Sequence, residues 1–269
     1  MLNQFSRAAL VLGQDSMEIL ARSRVAVFGI GGVGGSVVEA LARSGIGTLD
    51  LIDDDRICLT NINRQVLATR KTVGQYKVDA AEERIHDISP ETAVNKYRTF
   101  FLPETADQFD FSQYDYVVDA LDTVTAKIEI VLRAQKAGVP VISCMGCGNR
   151  VDPTRLTVTD IYQTKQDPLA RVMRYELRKR GVKQLTVVYS TEPAIRPEKD
   201  QDNSCLYHCI CPPGTERKCT ERRDIPGSTA FVPPAAGMIA ASVIVRELTR
   251  FNPAARIKGS REWTLKNAR

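Results

Sequence analysis

Hydrophobic and polar positions along this chain fall into blocks whose period changes at regular intervals. Residues 24–29, Arg-Val-Ala-Val-Phe-Gly, are a short continuous apolar run entering glycines, the pattern of a strand buried on both faces. Residues 33–44 have helical composition and stop before Gly45, and Thr48 to Asp53 reads as a second strand. Residues 73–87 are amphipathic at helical spacing and end at Ser89-Pro90. Asp115 to Ala120 is a third strand, 124–137 a helix closed by Gly138, and Val139 to Ser143 a fourth strand. Strands alternating with helices predict an α/β, Rossmann-like fold, a mostly parallel sheet with helices on both faces.

Past Asn149 the texture changes. Leu156 to Tyr162 and Gln184 to Ser190 read as strands, and residues 168–180 as a basic helix. A loop rich in Pro, Cys and charge covers 192–229, and a helix over about 235–250 restores apolar periodicity. Residues 251–269 are a basic tail that contains the single tryptophan, Trp263. No clean boundary appears. The pattern predicts one domain over 1–269, with halves at 5–150 and 151–250 and a long Cys-rich insertion before the last helix.

Composition narrows the class. In 269 residues, 43% are hydrophobic and 26% charged, too apolar for intrinsic disorder. The longest weakly polar stretch, Ala230 to Val245, is broken by Pro233 and Pro234, so no membrane span is expected. The N-terminus shows no basic-then-apolar signal sequence, and a cytoplasmic location is expected. Seven cysteines, an odd number, read as thiols or ligands and not as a disulfide framework. The net charge of +5 permits a polyanionic partner without requiring one.

Candidate chemistry begins at Gly29-Ile30-Gly31-Gly32-Val33-Gly34, a G-x-G-x-x-G loop between strand and helix. Such glycines let the backbone approach a phosphate whose charge then sits at the helix N-terminus. Asp53, ending the next strand, is where ribose hydroxyls would lie. The glycines alone do not separate NAD from ATP. Asp53-Asp54-Asp55 runs into Asn61-Ile62-Asn63-Arg64-Gln65 and then Gly74-Gln75-Tyr76-Lys77. A dehydrogenase needs neither Arg64 nor Lys77, whereas an enzyme that splits ATP can use both against departing pyrophosphate. Asp122, just past a strand end, can hold Mg²⁺ on phosphate oxygens.

These segments, with Val73-Gly74-Gln75-Tyr76-Lys77 and Ala120-Leu121-Asp122, resemble the ThiF/MoeB/HesA superfamily, relatives of ubiquitin-activating enzymes that adenylate carboxylates. The resemblance covers about residues 5–150 and the helix after 230. It implies that 5–150 binds the nucleotide and 151–250 the substrate. It implies that Gly29, Gly31, Gly32 and Gly34 cradle ATP and that Asp53, with Asp55 beside it, meets the ribose. It further implies that Asn61, Arg64, Gln65 and Lys77 meet the phosphates, that Asp122 meets Mg²⁺, and that Arg7 in Phe5-Ser6-Arg7 is lent to the partner's active site in a homodimer. Ile225 to Pro234, followed by an Ala/Gly-rich helix, is similar to the tRNA threonylcarbamoyladenosine dehydratases, as is Asp122-Thr123-Val124-Thr125-Ala126-Lys127. That branch implies ATP-dependent cyclisation of N6-threonylcarbamoyladenosine in tRNA. The runner-up is adenylation of the C-terminus of a sulfur-carrier or ubiquitin-like protein, and more distant alternatives are an NAD-dependent oxidoreductase and a non-catalytic tRNA-binding protein.

The cysteines stay open at this level. Cys205, Cys209, Cys211 and Cys219, with His208 as a substitute, could bind Zn²⁺, but their spacing departs from the paired Cys-x-x-Cys of the sulfur-carrier activators. A thioester or sulfur-handling Cys219, with a sulfur-transfer partner, and a loop of plain thiols are the other readings. Cys144 and Cys147 read as small residues packed near the nucleotide edge, Cys58 as structural, and His86 as no base. Arg171, Arg174, Arg178, Lys179, Arg180 and Lys183 cluster in one segment, the first three sharing a helical face, and with Arg217, Lys218, Arg222, Arg223 and the tail bases Lys258, Arg261, Lys266 and Arg269 they are expected tRNA docking sites.

Overall fold

In the computed structural model, residues 2–198, 210–212 and 225–257 are described. Two short helices, α1 (Ser6–Leu12) and α2 (Gln14–Arg22), precede the alternating unit. That unit runs β1 (Arg24–Phe28), α3 (Gly34–Arg43), β2 (Thr48–Ile52), α4 (Lys77–Ile88), β3 (Ala93–Tyr97), β4 (Tyr116–Asp119), α5 (Val124–Ala137) and β5 (Val141–Cys144). β6 (Leu156–Asp160), α6 (Pro168–Lys179), β7 (Thr186–Ser190) and α7 (Val232–Thr249) follow.

Among the described residues, seven strands form one sheet in the order β3-β2-β1-β4-β5-β7-β6. Every pairing is parallel except β6 with β7, which is antiparallel. The period of two divides each strand between two cores. Val25 and Val27 point into the cluster built with α2, α3, α4 and α7, while Ala26 and Phe28 point into the one built with α5 and the aromatic residues Phe101, Phe109 and Phe111. α6 packs on α5 through Met173, Leu177, Ile128 and Val131.

The order reverses at β1 and β4, the switch point beside which ligands bind in open α/β sheets. α7 reaches that point because Gly237 has no side chain: a Cβ there would lie 2.3 Å from the carbonyl oxygen of Val33. Pro233 is pressed against Gly32 in the same way, with 3.1 Å left for a Cβ. The last helix thus closes over the loop that the first strand feeds. Among the described residues, no helix is long and apolar enough to cross a membrane.

Candidate active site

The glycine loop leaves β1 with Gly29 at φ +90°, a conformation an L side chain rarely adopts. A Cβ on Gly34 would meet the Gly29 carbonyl oxygen at 1.7 Å, so the loop folds tightly onto the start of α3. No side chain caps that helix. Its Gly35 and Ser36 N–H groups turn back onto the Gly31 and Val33 carbonyl oxygens at 2.9 and 3.0 Å, and the positive end of the helix dipole faces the glycine loop. Gly31 is open, with only the Gln65 amide nitrogen 3.9 Å from where its Cβ would be, and Gly32 borders the Arg64 backbone at 3.4 Å. Gln65 and Arg64 thus lie beside the loop. Arg64 Nη1 donates to the Thr60 carbonyl oxygen at 2.8 Å and to Asn63 Oδ1 at 3.0 Å.

Asp53 makes contacts that the spacing did not reveal. Its Oδ2 accepts the Ile30 N–H at 2.7 Å and its Oδ1 accepts the Asp55 N–H at 2.8 Å, so the carboxylate pins the glycine loop to the end of β2. Lys77, at the start of α4, puts Nζ 2.7 Å from Asp55 Oδ2 and 3.5 Å from Asp53 Oδ1. The carboxylate oxygens of Asp53, Asp54 and Asp55 approach within 4.8 Å of one another. The ammonium offsets that repulsion. Burial alone would lower the Lys77 pKa, but the charges of Asp53 and Asp55 outweigh it and raise it, so the cation persists across the physiological range. Burial pushes the Asp53 carboxyl above its usual range against the pull of Lys77.

Asn61 is turned inward, its Oδ1 accepting the Cys58 N–H at 3.0 Å. Asp122 is exposed on the turn after β4, where Thr123 Oγ1 donates to its Oδ1 at 3.5 Å. That turn abuts the glycine loop, since a Cβ on Gly29 would lie 2.9 Å from the Ala120 carbonyl oxygen and from Leu121. The segment entering α7 closes the same edge: Asn63 Nδ2 donates to the Ser228 carbonyl at 2.8 Å, and Gly227 exchanges hydrogen bonds with Asn149.

The structure does not bring Arg7 to this site within one chain. Arg7 is exposed on α1, and its neighbour Phe5 packs on Gly45 beyond the C-terminal end of α3, whereas the glycine loop is at the other end. Ten residues of α3 separate the two, about 15 Å of helix.

Cys144 and Cys147 are buried thiols, and burial pushes both up, Cys147 to about 12. Neither carries the thiolate that redox or nucleophilic chemistry needs. Cys58 is buried and Cys211 half-buried; Cys58 Sγ lies 3.7 Å from the Ile210 carbonyl oxygen. Cys205, His208, Cys209 and Cys219 lie outside the described residues, as do Arg217, Lys218, Arg222, Arg223, Lys258, Arg261, Lys266 and Arg269. His86 is exposed in the last turn of α4, away from the sheet edge that carries the glycine loop.

Comparison with known proteins points the same way as the geometry. A tRNA threonylcarbamoyladenosine dehydratase of Bacillus subtilis (strain 168) is 42% identical over 259 residues, 96% of this chain and 99% of that protein. The Escherichia coli tRNA N6-threonylcarbamoyladenosine dehydratase, solved with AMP, superposes with a TM-score of 0.79 at 32% identity, covering 94% of this chain and 96% of that one. Its ATP complex gives a TM-score of 0.77 at the same identity and coverage. The ThiF family model matches residues 5–266, and the chain belongs to the ThiF family.

Proposed function

We propose that this protein is an ATP-dependent tRNA threonylcarbamoyladenosine dehydratase. The observation that carries the reading is similarity to the Bacillus subtilis enzyme over 96% of this chain, which here meets a glycine loop, a cluster of buried Asp53 and Lys77 with half-buried Asp55, and an exposed Asp122 on one sheet edge. The glycine loop and the N-terminus of α3 would hold the phosphates of ATP, and Asp53 and Asp55 would flank its ribose. Arg64, Gln65, Asn61 and Lys77 would line the polyphosphate.

The substrate's threonine carboxylate oxygen would attack the α-phosphorus, forming an acyl-adenylate as pyrophosphate leaves. The carbamoyl group of the same nucleoside would then close on the activated carbonyl, and the carboxylate oxygen would depart with AMP. The net change is loss of one water from the nucleoside. Because both reacting groups belong to one bound molecule, proximity replaces an enzyme nucleophile. The buried, protonated thiols Cys144 and Cys147 are consistent with that.

Asp122, an exposed residue with a hard carboxylate oxygen, is of the ligand type that suits Mg²⁺. Bound there, Mg²⁺ would neutralise charge on the phosphates. The zinc reading of Cys205, Cys209, Cys211 and Cys219 rests on the sequence, and so does any sulfur-transfer partner.

The test is pyrophosphate release with two candidate acceptors. Release that requires tRNA bearing threonylcarbamoyladenosine supports the proposal. Release that requires a protein ending in Gly-Gly would overturn it in favour of sulfur-carrier activation.

A further inference from the structure

Beside the exposed Asp122 lies a lysine that solvent does not reach. Lys127, in the first turn of α5, and Asp119, the last residue of β4, are both fully buried and 2.9 Å apart. An ammonium has three N–H donors. Here they face three acceptors: Asp119 Oδ2, the Leu121 carbonyl oxygen at 3.1 Å and the Cys144 carbonyl oxygen at 2.8 Å. Asp119 is saturated in turn, accepting the Ser143 hydroxyl at 2.5 Å and the Leu121 N–H at 3.2 Å.

Stability is a poor reason for this arrangement. Desolvating both ions is costly, and an apolar pair of similar volume often serves as well or better. The distinctive consequence of the ammonium is geometric. It ties the carbonyl immediately before Asp122 to the carbonyl at the end of β5, so residues 119–121 have one path. The same turn walls the glycine loop at Gly29.

We propose that Lys127 is a positioning residue for the nucleotide reaction: its ammonium fixes the Asp119–Leu121 turn and thereby sets where Asp122 presents its carboxylate. The inference rests on the reading of the chain as an ATP-dependent adenylating enzyme. A group that supports a metal ligand without touching the metal changes affinity by about 10–100-fold when removed.

The experiment measures ATP binding by calorimetry, with Mg²⁺ and with EDTA, together with thermal melting. It uses the full chain as wild type, Lys127→Arg, Lys127→Met and the double variant Lys127→Met/Asp119→Asn. The double variant removes both buried charges together, so no unpaired ion is left in the core when the tether is lost. The expected result is a lower melting temperature in Lys127→Met, which strands the Asp119 carboxylate, and ATP affinity in EDTA close to wild type in the other two variants, with the gain on adding Mg²⁺ reduced about tenfold in the double variant and partly retained in Lys127→Arg. A double variant that melts like wild type and keeps the whole Mg²⁺ gain overturns the proposal, as does an equal loss of affinity with and without Mg²⁺. A wild-type protein that binds no ATP at all rejects the underlying enzymatic reading instead.

Discussion

Lys77 and Asp122 are both expected to serve ATP, yet their surroundings predict different phenotypes. Lys77 is buried between Asp53 and Asp55, so Lys77→Met strands two carboxylates and should cost about 3–5 kcal/mol of stability as well as turnover. Asp122 is exposed, and Asp122→Ala should leave the unfolding free energy within about 0.5 kcal/mol of wild type. Its turnover should nevertheless fall by about a hundredfold or more. Equal stability losses in the two variants would contradict these placements. The residue identities were readable from the motif, but their partners were not. The Ile30 N–H on Asp53, the inward turn of Asn61 and the three-acceptor cage of Lys127 join positions far apart in the chain or depend on a rotamer. Only the Asn61 contact, three residues from Cys58, is local in sequence.

At the level of elements, periodicity was a good guide wherever burial is one-sided or complete. α5 runs over the expected 124–137, ended by Gly138 in the left-handed conformation. The helix expected over 73–87 starts only at Lys77, because Gly74 takes φ +93° and Arg56 bridges to Tyr76. β3 escaped sequence reading because it is a half-exposed edge strand without a continuous apolar run. The joint between α3 and α4 makes a pH-dependent contribution to stability. Burial would raise the Glu39 pKa, but hydrogen bonds from Arg84 and Arg43 outweigh it and hold the carboxyl below its usual 4.5. A depressed carboxylate contributes stability above the unfolded value and loses it as pH falls through the folded one. Wild type should therefore outlast Glu39→Gln in urea at neutral pH, with the gap narrowing at each step below pH 4.5. α6 is tied to the exit of β5, since Asp167 caps it and accepts from Arg150 at 3.0 Å. Arg171 and Arg178 are exposed on α6, whereas Arg174 is held by Thr164. Arg171→Glu/Arg178→Glu should weaken tRNA binding at low salt and flatten its salt dependence by about one unit of slope for each phosphate no longer neutralised. Unchanged affinity at low salt would remove α6 from the docking surface.

For the whole molecule, Arg7 lies on α1 away from its own chain's glycine loop, so a role for it in the reaction would require a second copy of the chain. The exposed Leu2, Leu10 and Val11 lie on or beside α1, and an apolar groove between Leu12, Ala40, Met238 and Val245 adjoins it. If Arg7 serves the partner's site, inactive Arg7→Ala and Asp122→Ala chains mixed and allowed to exchange should recover about a quarter of wild-type turnover. Half the pairs are then mixed, and each has one complete site. An arginine acting within its own chain would give no recovery. The mostly parallel sheet and the glycine loop were legible because buried strands and phosphate loops are local patterns. The closure of α7 over the loop was not, because it depends on Gly237 meeting Val33 across most of the chain. The most direct measurement of the central claim is mass spectrometry of tRNA nucleosides after incubation with the protein, ATP and Mg²⁺. The account predicts that threonylcarbamoyladenosine loses the mass of one water while AMP and pyrophosphate accumulate. An unchanged nucleoside in the presence of bound ATP would contradict it.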